Sequence, residues 1–315
     1  VIQEIVRLLE VGNVDGVIEL LQLDEATFEP LEEAIRQSYR QGGLVGAEQI
    51  GTIPLEIGSV PARFNMALPT ATQWLANLSS RLVTEIFDEQ RQMVRERMTE
   101  AVQRGINPRQ SALDLIGRID RRSGNRTGGF IGLTSRQAEW VARARDELEN
   151  LNPNYLTRQL RDKRFDSSVR KAIEDGKPLT KEQINRAIAQ MQNRTQQYRG
   201  QVIARTESIN GPRAGQFEAI RQAAIKGDID FRDVSKGWDS SSDARTRLDH
   251  LQMEQTYLEN PIGLESAFIA PDQSRMLYPG DSSLGASGAQ TIQCRCKAVY
   301  RIDFANAVRR VEGFN

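Results

Sequence analysis

Along the start of the chain, apolar side chains recur every three or four positions. Ile2, Ile5, Val6, Leu8 and Leu9 form one set and Val17, Ile18, Leu20 and Leu21 a second, the spacing of amphipathic helices. Gly12 and Gly16 interrupt it, which predicts two short helices in place of one. Asp24 is placed to cap a further helix carrying Leu31, Ile35 and Tyr39. Gly42, Gly43, Gly46 and Gly51, with Pro54 and Pro61, then read as a weakly structured linker. These glycines lack the spacing and the Lys-Ser/Thr ending of a phosphate-binding loop.

The helical period resumes near Thr70 and is kept by Trp74, Leu78, Leu82, Ile86, Met93 and Met98 to about Arg104, where Gly105-Ile106-Asn107-Pro108 stops it. Ser111 to Ile119 reads as another helix, followed by a flexible loop from Arg121 to Gly129. Thr134-Ser135-Arg136-Gln137 opens the next, which holds Ala138, Val141, Ala142 and Leu148 and ends at Asn152-Pro153. Thr180 stands three residues before Gln183, a capping-box pattern. The helix it starts continues past Arg199 to Ile209, with Gly200 as a weak point. From about Ile225 the texture changes. Gly227 to Phe231 and Val234 to Trp238 suggest short strands, and Ser240 to Asp243 can cap a helix bearing Ala244, Leu248 and Leu251. A Pro/Gly/Ser-rich stretch follows over 261–288, and Thr291 to Ile302 alternates like a strand. The expected fold is mostly α, a long helical N-terminal region followed by a small α+β C-terminal domain. Three segments are expected: an acidic helical segment and linker over 1–60, a helical Arg-rich region over 61–224, and an α+β domain over 225–315.

Composition adds charge to this outline. A hydrophobic share of 39% supports a packed core, and two cysteines are too few for a disulfide scaffold. No apolar run approaches the roughly 18 residues of a membrane span, so no membrane partner is expected. Val1 to Glu10 carries acids and no basic stretch, unlike a secretory leader, and the missing initial Met leaves room for an upstream segment. The formal net charge of zero is an average. Residues 1–60 hold 3 basic and 11 acidic side chains, and residues 91–170 hold 17 basic and 10 acidic. Such asymmetry either coats solvated helices or marks interaction surfaces.

Chemistry-bearing residues concentrate after about residue 202. The first stretch is Val202-Ile203-Ala204-Arg205-Thr206-Glu207, followed by Arg213-Ala214-Gly215-Gln216-Phe217-Glu218-Ala219. The second is Lys236-Gly237-Trp238 with Asp243-Ala244-Arg245-Thr246-Arg247 and His250. The third is Leu277-Tyr278-Pro279-Gly280-Asp281, leading to Ile292-Gln293-Cys294-Arg295-Cys296. Arg205, Glu207, Asp243, Arg245 and His250 are expected to form a polar network, because a guanidinium bridging carboxylates and carbonyls can staple a loop-rich domain. On a strand, Cys294 and Cys296 would present both thiols to one face. They read either as packed, unreactive thiols or, with His250 and a fourth ligand from Asp249 or Asp281, as a zinc site.

In this order the three stretches are similar to the phage Mu F-like head-morphogenesis family of minor head proteins. That family has a helix ending in Ala-Arg-Thr-Glu, a Trp-Asp-Arg-Thr-His segment, and a Pro-Gly-Asp then Asn-Cys-Arg-Cys ending; here Gln293 stands where Asn is usual. Gly132-Leu133-Thr134-Ser135-Arg136-Gln137-Ala138 and Leu160-Arg161-Asp162-Lys163-Arg164-Phe165-Asp166 also resemble the family's upstream region, whereas residues 1–60 do not. The resemblance implies a minor capsid protein of the virion, made in the host cytoplasm and sited inside the head or at the portal vertex. It further implies portal, capsid or scaffold partners and a role in head assembly and genome packaging or delivery. No enzyme is expected: no Ser has a nucleophile-elbow context, and the Glu147-Leu148-Glu149 pair an ADP-ribosyltransferase-like effector would need falls on a predicted helix. The alternative is a DNA-organising or ejected internal virion protein, with Arg121, Arg122 and Arg126 among glycines contacting packaged double-stranded DNA non-specifically. That alternative predicts DNA binding that weakens steeply with salt and loses part of its salt slope when the three arginines are neutralised together. In filter binding across a salt series, a flat response would exclude it.

Overall fold

The computed structural model describes residues 1–21, 28–54, 58–120 and 124–304. The fold is mostly α, 62% helical, with a small α+β part toward the C terminus. In chain order its helices begin with α1 (Ile2–Glu10), α2 (Val14–Leu20), α3 (Glu29–Ile50) and α4 (Pro69–Gln103). Then come α5 (Pro108–Ile116), α6 (Ser135–Glu149), α7 (Asp166–Asp175), α8 (Lys181–Lys226), α9 (Leu248–Glu259) and the single turn α10 (Gly288–Thr291). The strands are β1 (Thr52–Pro54), β2 (Ser59–Pro61), β3 (Arg118–Ile119), β4 (Arg126–Thr127) and β5 (Val234–Asp239). They are completed by β6 (Ile262–Gly263), β7 (Phe268–Ile269), β8 (Arg275–Met276) and β9 (Lys297–Ile302). The chain forms two compact units, Val1–Glu25 with Arg81–Gln201, and Ala26–Ser80 with Val202–Asn315. These units cut across the segments 1–60, 61–224 and 225–315, because α3 and the start of α4 group with the C-terminal residues while α1 and α2 group with the Arg-rich helices.

The first unit is an all-helical core. Ile5, Leu9, Val17, Met93, Met98, Leu115, Val141, Leu148 and Ile188 pack together from α1, α2, α4, α5, α6 and α8. Asn13 caps α2 by accepting from the Gly16 N–H at 2.8 Å, so Gly16 lies inside that helix instead of interrupting it. Thr134 and Gln137 close a full capping box on α6, and Thr180 and Gln183 do the same on α8, each worth about 1 kcal/mol. Gly200 leaves α8 unbroken. The helix expected over 111–119 ends at Ile116, and Arg118–Ile119 pairs instead with Arg126–Thr127. The end of the expected loop is held down: Gly128 and Gly129 donate to Asn193 and Gln192, and Gly132 to Gln90. Buried backbone here is satisfied by side-chain amides, which costs far less than leaving it unpaired. In the Leu160–Asp166 stretch, Arg161 pairs bidentately with Asp166, and buried Asp162 takes Arg164 and Arg194.

The second unit corrects the linker expectation. α3 runs through Gly42, Gly43 and Gly46 to Ile50, and these glycines exist for packing. A Cβ on Gly42 would stand 1.9 Å from the Pro212 carbonyl oxygen of α8, and one on Gly215 would stand 2.0 Å from the Tyr39 carbonyl oxygen. Gly46 faces Gln216 and Ala219 in the same way, and Phe64 lies over Gly43. The two helices therefore meet backbone to backbone, a separation only glycine permits. The cap proposed for this helix at Asp24 lies outside the described residues. In the α+β part, β5 is the centre of an antiparallel sheet ordered β6-β5-β9, with Lys236 opposite Tyr300 and Trp238 opposite Ala298. α9 packs on β5 at Gly237, where an added Cβ would lie 2.9 Å from the Tyr257 carbonyl oxygen. Three expectations shift here. Gly227–Phe231 makes no strand, the helix expected from Ser240–Asp243 starts only at Leu248, and the strand expected from Thr291 starts at Lys297. In each case side chains claim the backbone first: Asp230 accepts from the Arg232 N–H, Glu254 from the Ser240 N–H and Asp243 from the Arg245 N–H, while Arg247 donates to the Ile292 carbonyl and Thr206 accepts from the Gln293 N–H.

Two glycines of opposite kind test this packing. Gly42→Ala is expected to cost about 3 kcal/mol, because the obstacle is backbone that cannot move aside. Gly200→Ala, with nothing within 4 Å of its added Cβ, should gain about 1 kcal/mol of helix propensity. Thermal unfolding of both variants should therefore move in opposite directions, and a neutral Gly42→Ala would refute the close crossing.

Candidate functional site

The three motif stretches all lie in the second unit and meet beneath its C-terminal loops. The first contributes through α8. Arg213 Nη1 donates to the Cys294 carbonyl at 2.9 Å and to the Pro279 carbonyl at 3.2 Å. Thr206 Oγ1 accepts from the Gln293 N–H at 3.1 Å. Burial lowers the Arg213 pKa, and the neighbouring Cys294 and Cys296 oppose that shift. Gly280, at φ +89°, lets the loop lie on the guanidinium, since a Cβ there would stand 3.3 Å from Arg213 Nη1. Tyr278-Pro279-Gly280-Asp281 is a type II turn: the Asp281 N–H donates to the Tyr278 carbonyl at 3.0 Å, with Pro at the second position and a positive-φ Gly at the third.

Asp281 is 1% exposed and fastens this turn from inside. Its carboxylate accepts from the N–H groups of Leu277 and Ser283, both at 2.8 Å. Lys236, fully buried on β5, donates to the Leu277 carbonyl at 2.6 Å, and its ammonium lies 5.1 Å from the rings of both Phe217 and Phe268. Burial still dominates and lowers its pKa to about 7, while Glu265 and Asp281 oppose the fall.

Asp243, from the second stretch, meets Arg295, from the third, in a two-pronged pair with both N···O distances at 2.5 Å. The Arg295 hydrogen bonds, helped by the Arg245 N–H, hold the Asp243 carboxyl well below the usual carboxylate range. Arg247 donates to the Ile292 carbonyl at 2.6 Å and Ser241 to the Arg295 carbonyl at 3.2 Å. The segment around the cysteines is thus tied at nearly every residue. Gln293 sits at φ +54°, a left-handed conformation that Asn adopts more readily than Gln. Cys294 and Cys296 lie in this turn ahead of β9, not on a strand.

At the centre, Cys294 and Cys296 are free thiols, 2% and 3% exposed. His250, 1% exposed on α9, points its Nδ1 at the Cys296 sulfur at 3.2 Å and at the Cys294 sulfur at 3.8 Å. Its Nε2 faces the Gln290 carbonyl oxygen at 2.9 Å, and the Gln290 amide nitrogen donates to Asp249 at 2.8 Å. A carboxylate only accepts, so the amide orientation is fixed, and His250 Nε2 must carry the proton. Whenever Nδ1 carries no proton, its lone pair points toward both sulfurs. The pair splits its acidity: Cys294 falls below the ordinary thiol range because the Cys296 thiol donates to it, with His250 and Arg213 assisting against burial. Cys296 rises for the same reason, as the donor. Trp238 is buried edge-on to the His250 ring, at a centroid distance of 5.1 Å.

Of the residues singled out in the sequence, Asp243, Arg245 and His250 join this cluster, Arg245 through its backbone N–H. Arg205 is exposed on α8 and offers its backbone carbonyl to Ser208 at 3.1 Å. The bridging role expected of it belongs to Arg213, two helical turns on. Glu207 is half-buried on the same helix. Asp249 and Asp281, considered as a fourth metal ligand, are committed to Gln290 and to the turn instead. Arg213, Lys236, Asp281, Gln290 and Arg295 all do work that periodicity does not reveal. Four of them stood inside the quoted motifs, which was the available signal; Gln290 had none. Arg121 and Arg122 lie outside the described residues, and exposed Arg126 donates to the Gly117 carbonyl at 2.8 Å.

The first unit holds a separate cleft of about 870 Å³. Several of its charges pair with one another, Arg97 and Arg104 with Glu100, and Arg145 with Asp114. Glu147 is held by Arg158 in two hydrogen bonds of 2.6 and 2.8 Å. Among the described residues no helix is long and apolar enough to cross a membrane. Comparison of the chain with protein-family models, curated proteins and solved structures returned no match.

Lys236 provides a pH test of this core. Its folded-state pKa, near 7, lies below the ordinary lysine value of 10.5. Between those values the unfolded chain binds more protons, so the lysine's contribution makes stability rise with pH; its penalty is fullest below about 7. Lys236→Met should flatten that part of the slope in urea unfolding measured from pH 7 to pH 9. Equal slopes in the two proteins would show that the buried ammonium carries no cost.

Proposed function

We propose that this chain is a minor capsid protein of a tailed phage that acts in head assembly at or near the portal vertex. The observation that carries the proposal is the interlocking of the three ordered motifs. Thr206 meets Gln293, Arg213 meets Pro279 and Cys294, Asp243 meets Arg295, and His250 meets Cys296. Residues far apart in this sequence meet in one loop-rich module that uses all of them. That supports reading the likeness to the Mu F-like family as shared architecture, in which the charged motif residues serve construction.

In this reading the C-terminal module is a rigid head and the helical unit carries the partner contacts. The apolar faces of α1, α2, α4, α5, α6 and α8 are spent on the unit's own core. Contact with portal or scaffold therefore falls to the charged outer faces, where ion pairs such as Arg143–Glu139 and Arg95–Asp15 are exposed. An interface of that kind is screened by salt. The purified chain should co-sediment with portal complexes or procapsids of its own phage at low ionic strength and be released at high ionic strength. A chain that stays in the supernatant under both conditions would sink the proposal.

A further inference from the structure

We propose that His250, Cys294 and Cys296 form a three-ligand site for zinc. The donor atoms, one imidazole nitrogen and two sulfurs, all lie within 4.8 Å of one another, and all three residues are buried. Tetrahedral zinc with bonds of about 2.0 Å to nitrogen and 2.3 Å to sulfur sets its N and S ligands about 3.5 Å apart. The two N···S distances, 3.2 and 3.8 Å, bracket that edge. Both N···S edges are thus within a few tenths of an ångström of the tetrahedral value, and the three donors share a space small enough to close on one ion.

The surroundings supply what a metal site needs beyond its ligands. A ligating histidine is ordinarily held by a hydrogen bond from its other ring nitrogen. Here the Asp249–Gln290–His250 relay does this, at 2.8 and 2.9 Å, and leaves Nδ1 as the free donor. A packed, inert histidine beside two thiols has no need of a two-residue relay that fixes its tautomer. The Trp238 indole N–H is fully buried and has no hydrogen-bond partner. An N–H facing a metal-bound thiolate would be satisfied. The charges also balance: two thiolates neutralise the dication, and the Arg213 guanidinium beside them rests on backbone carbonyls. Binding releases the thiol protons to solvent, and no redox partner is required. Three protein ligands leave a fourth position for water, and the soft donor set selects zinc over magnesium or calcium.

The site explains a feature that packing alone does not. The sulfurs come from a turn in which Gln293 is held left-handed and Arg247, Ser241 and Arg213 each bind a carbonyl. That bracing aims both sulfurs at α9. The test is metal analysis of the reduced full chain, with cobalt(II) as a spectroscopic substitute. One zinc per chain is expected, and cobalt should give thiolate charge-transfer absorption with the intense visible bands of tetrahedral geometry. Cys294→Ser with Cys296→Ser should abolish both signals. Absence of zinc together with absence of the charge-transfer band would overturn the site, and so would uptake that is unchanged in the double variant. If that variant does not fold, Gln290→Leu decides, since it keeps all three ligands and removes only the relay. A loss of ~10–100-fold in zinc affinity supports the site, and unchanged affinity overturns it.

Discussion

The guanidinium of Arg213 is the contact on which the C-terminal module depends. From one nitrogen it reaches the carbonyls of Pro279 and Cys294, and so ties two loops to α8 that have no ladder of their own. Arginine suits the task because it stays charged when buried and offers several donors in a fixed plane. A lysine would make fewer contacts and would lose its proton more readily, as Lys236 nearby already illustrates. Remove the guanidinium and the turn at Gly280 and the cysteine segment would each leave a buried carbonyl unsatisfied, at about 1–3 kcal/mol apiece.

A module with this little apolar core must be stabilised in another way. Its hydrophobic cluster is small, built on Trp238, Met253, Phe268, Met276 and the two cysteines. Around it, charged side chains bind backbone, Lys236 to Leu277, Asp281 to Leu277 and Ser283, Arg247 to Ile292, beside the one two-pronged pair of Asp243 with Arg295. Such bonds fix irregular loops residue by residue, where a sheet would need strands long enough to pair. The helical unit relies on a larger apolar interior, with buried charges such as Asp162 and Asp166 paired at its edge. That contrast is why motif residues crowd into the second unit.

Much of the fold was legible in the sequence because periodicity reports burial directly. α4 ends where Gly105 and Pro108 said it should, α6 opens at Thr134, and the capping box formed as Thr180/Gln183 implied. The failures have a common cause. Gly42, Gly43 and Gly46 look like a linker because glycine is a poor helix former, and the close partner helix that requires them lies about 170 residues away in sequence. Helix and strand starts were misplaced at Ser240 and Thr291, where side chains compete for the backbone. At the candidate site, His250 and the cysteines could be named from type and spacing. Arg205 was chosen over Arg213 because a lone sequence cannot say which arginine on a helix faces a loop. Gln290 was invisible, since its importance lies in the proton it fixes on another residue.

The crossing of α3 and α8 has a thermodynamic consequence of its own. Most helix pairs freeze side-chain rotamers when they dock, and a long buried side chain gives up as much as about 2 kcal/mol of entropy. Gly42, Gly46, Gly211 and Gly215 have no rotamers to lose. Their cost was met earlier, in bending glycine-rich chain into helix at all. Once both helices exist, their association is nearly free of further ordering at these four positions, and the ionisable group beside them, the Tyr39 phenol, is held protonated by burial. The same short stretch of α8, from Gly211 to Gly215, also carries Arg213, so one helical turn serves both the glycine crossing and the guanidinium that holds the loops, and a shift at either is felt by the other.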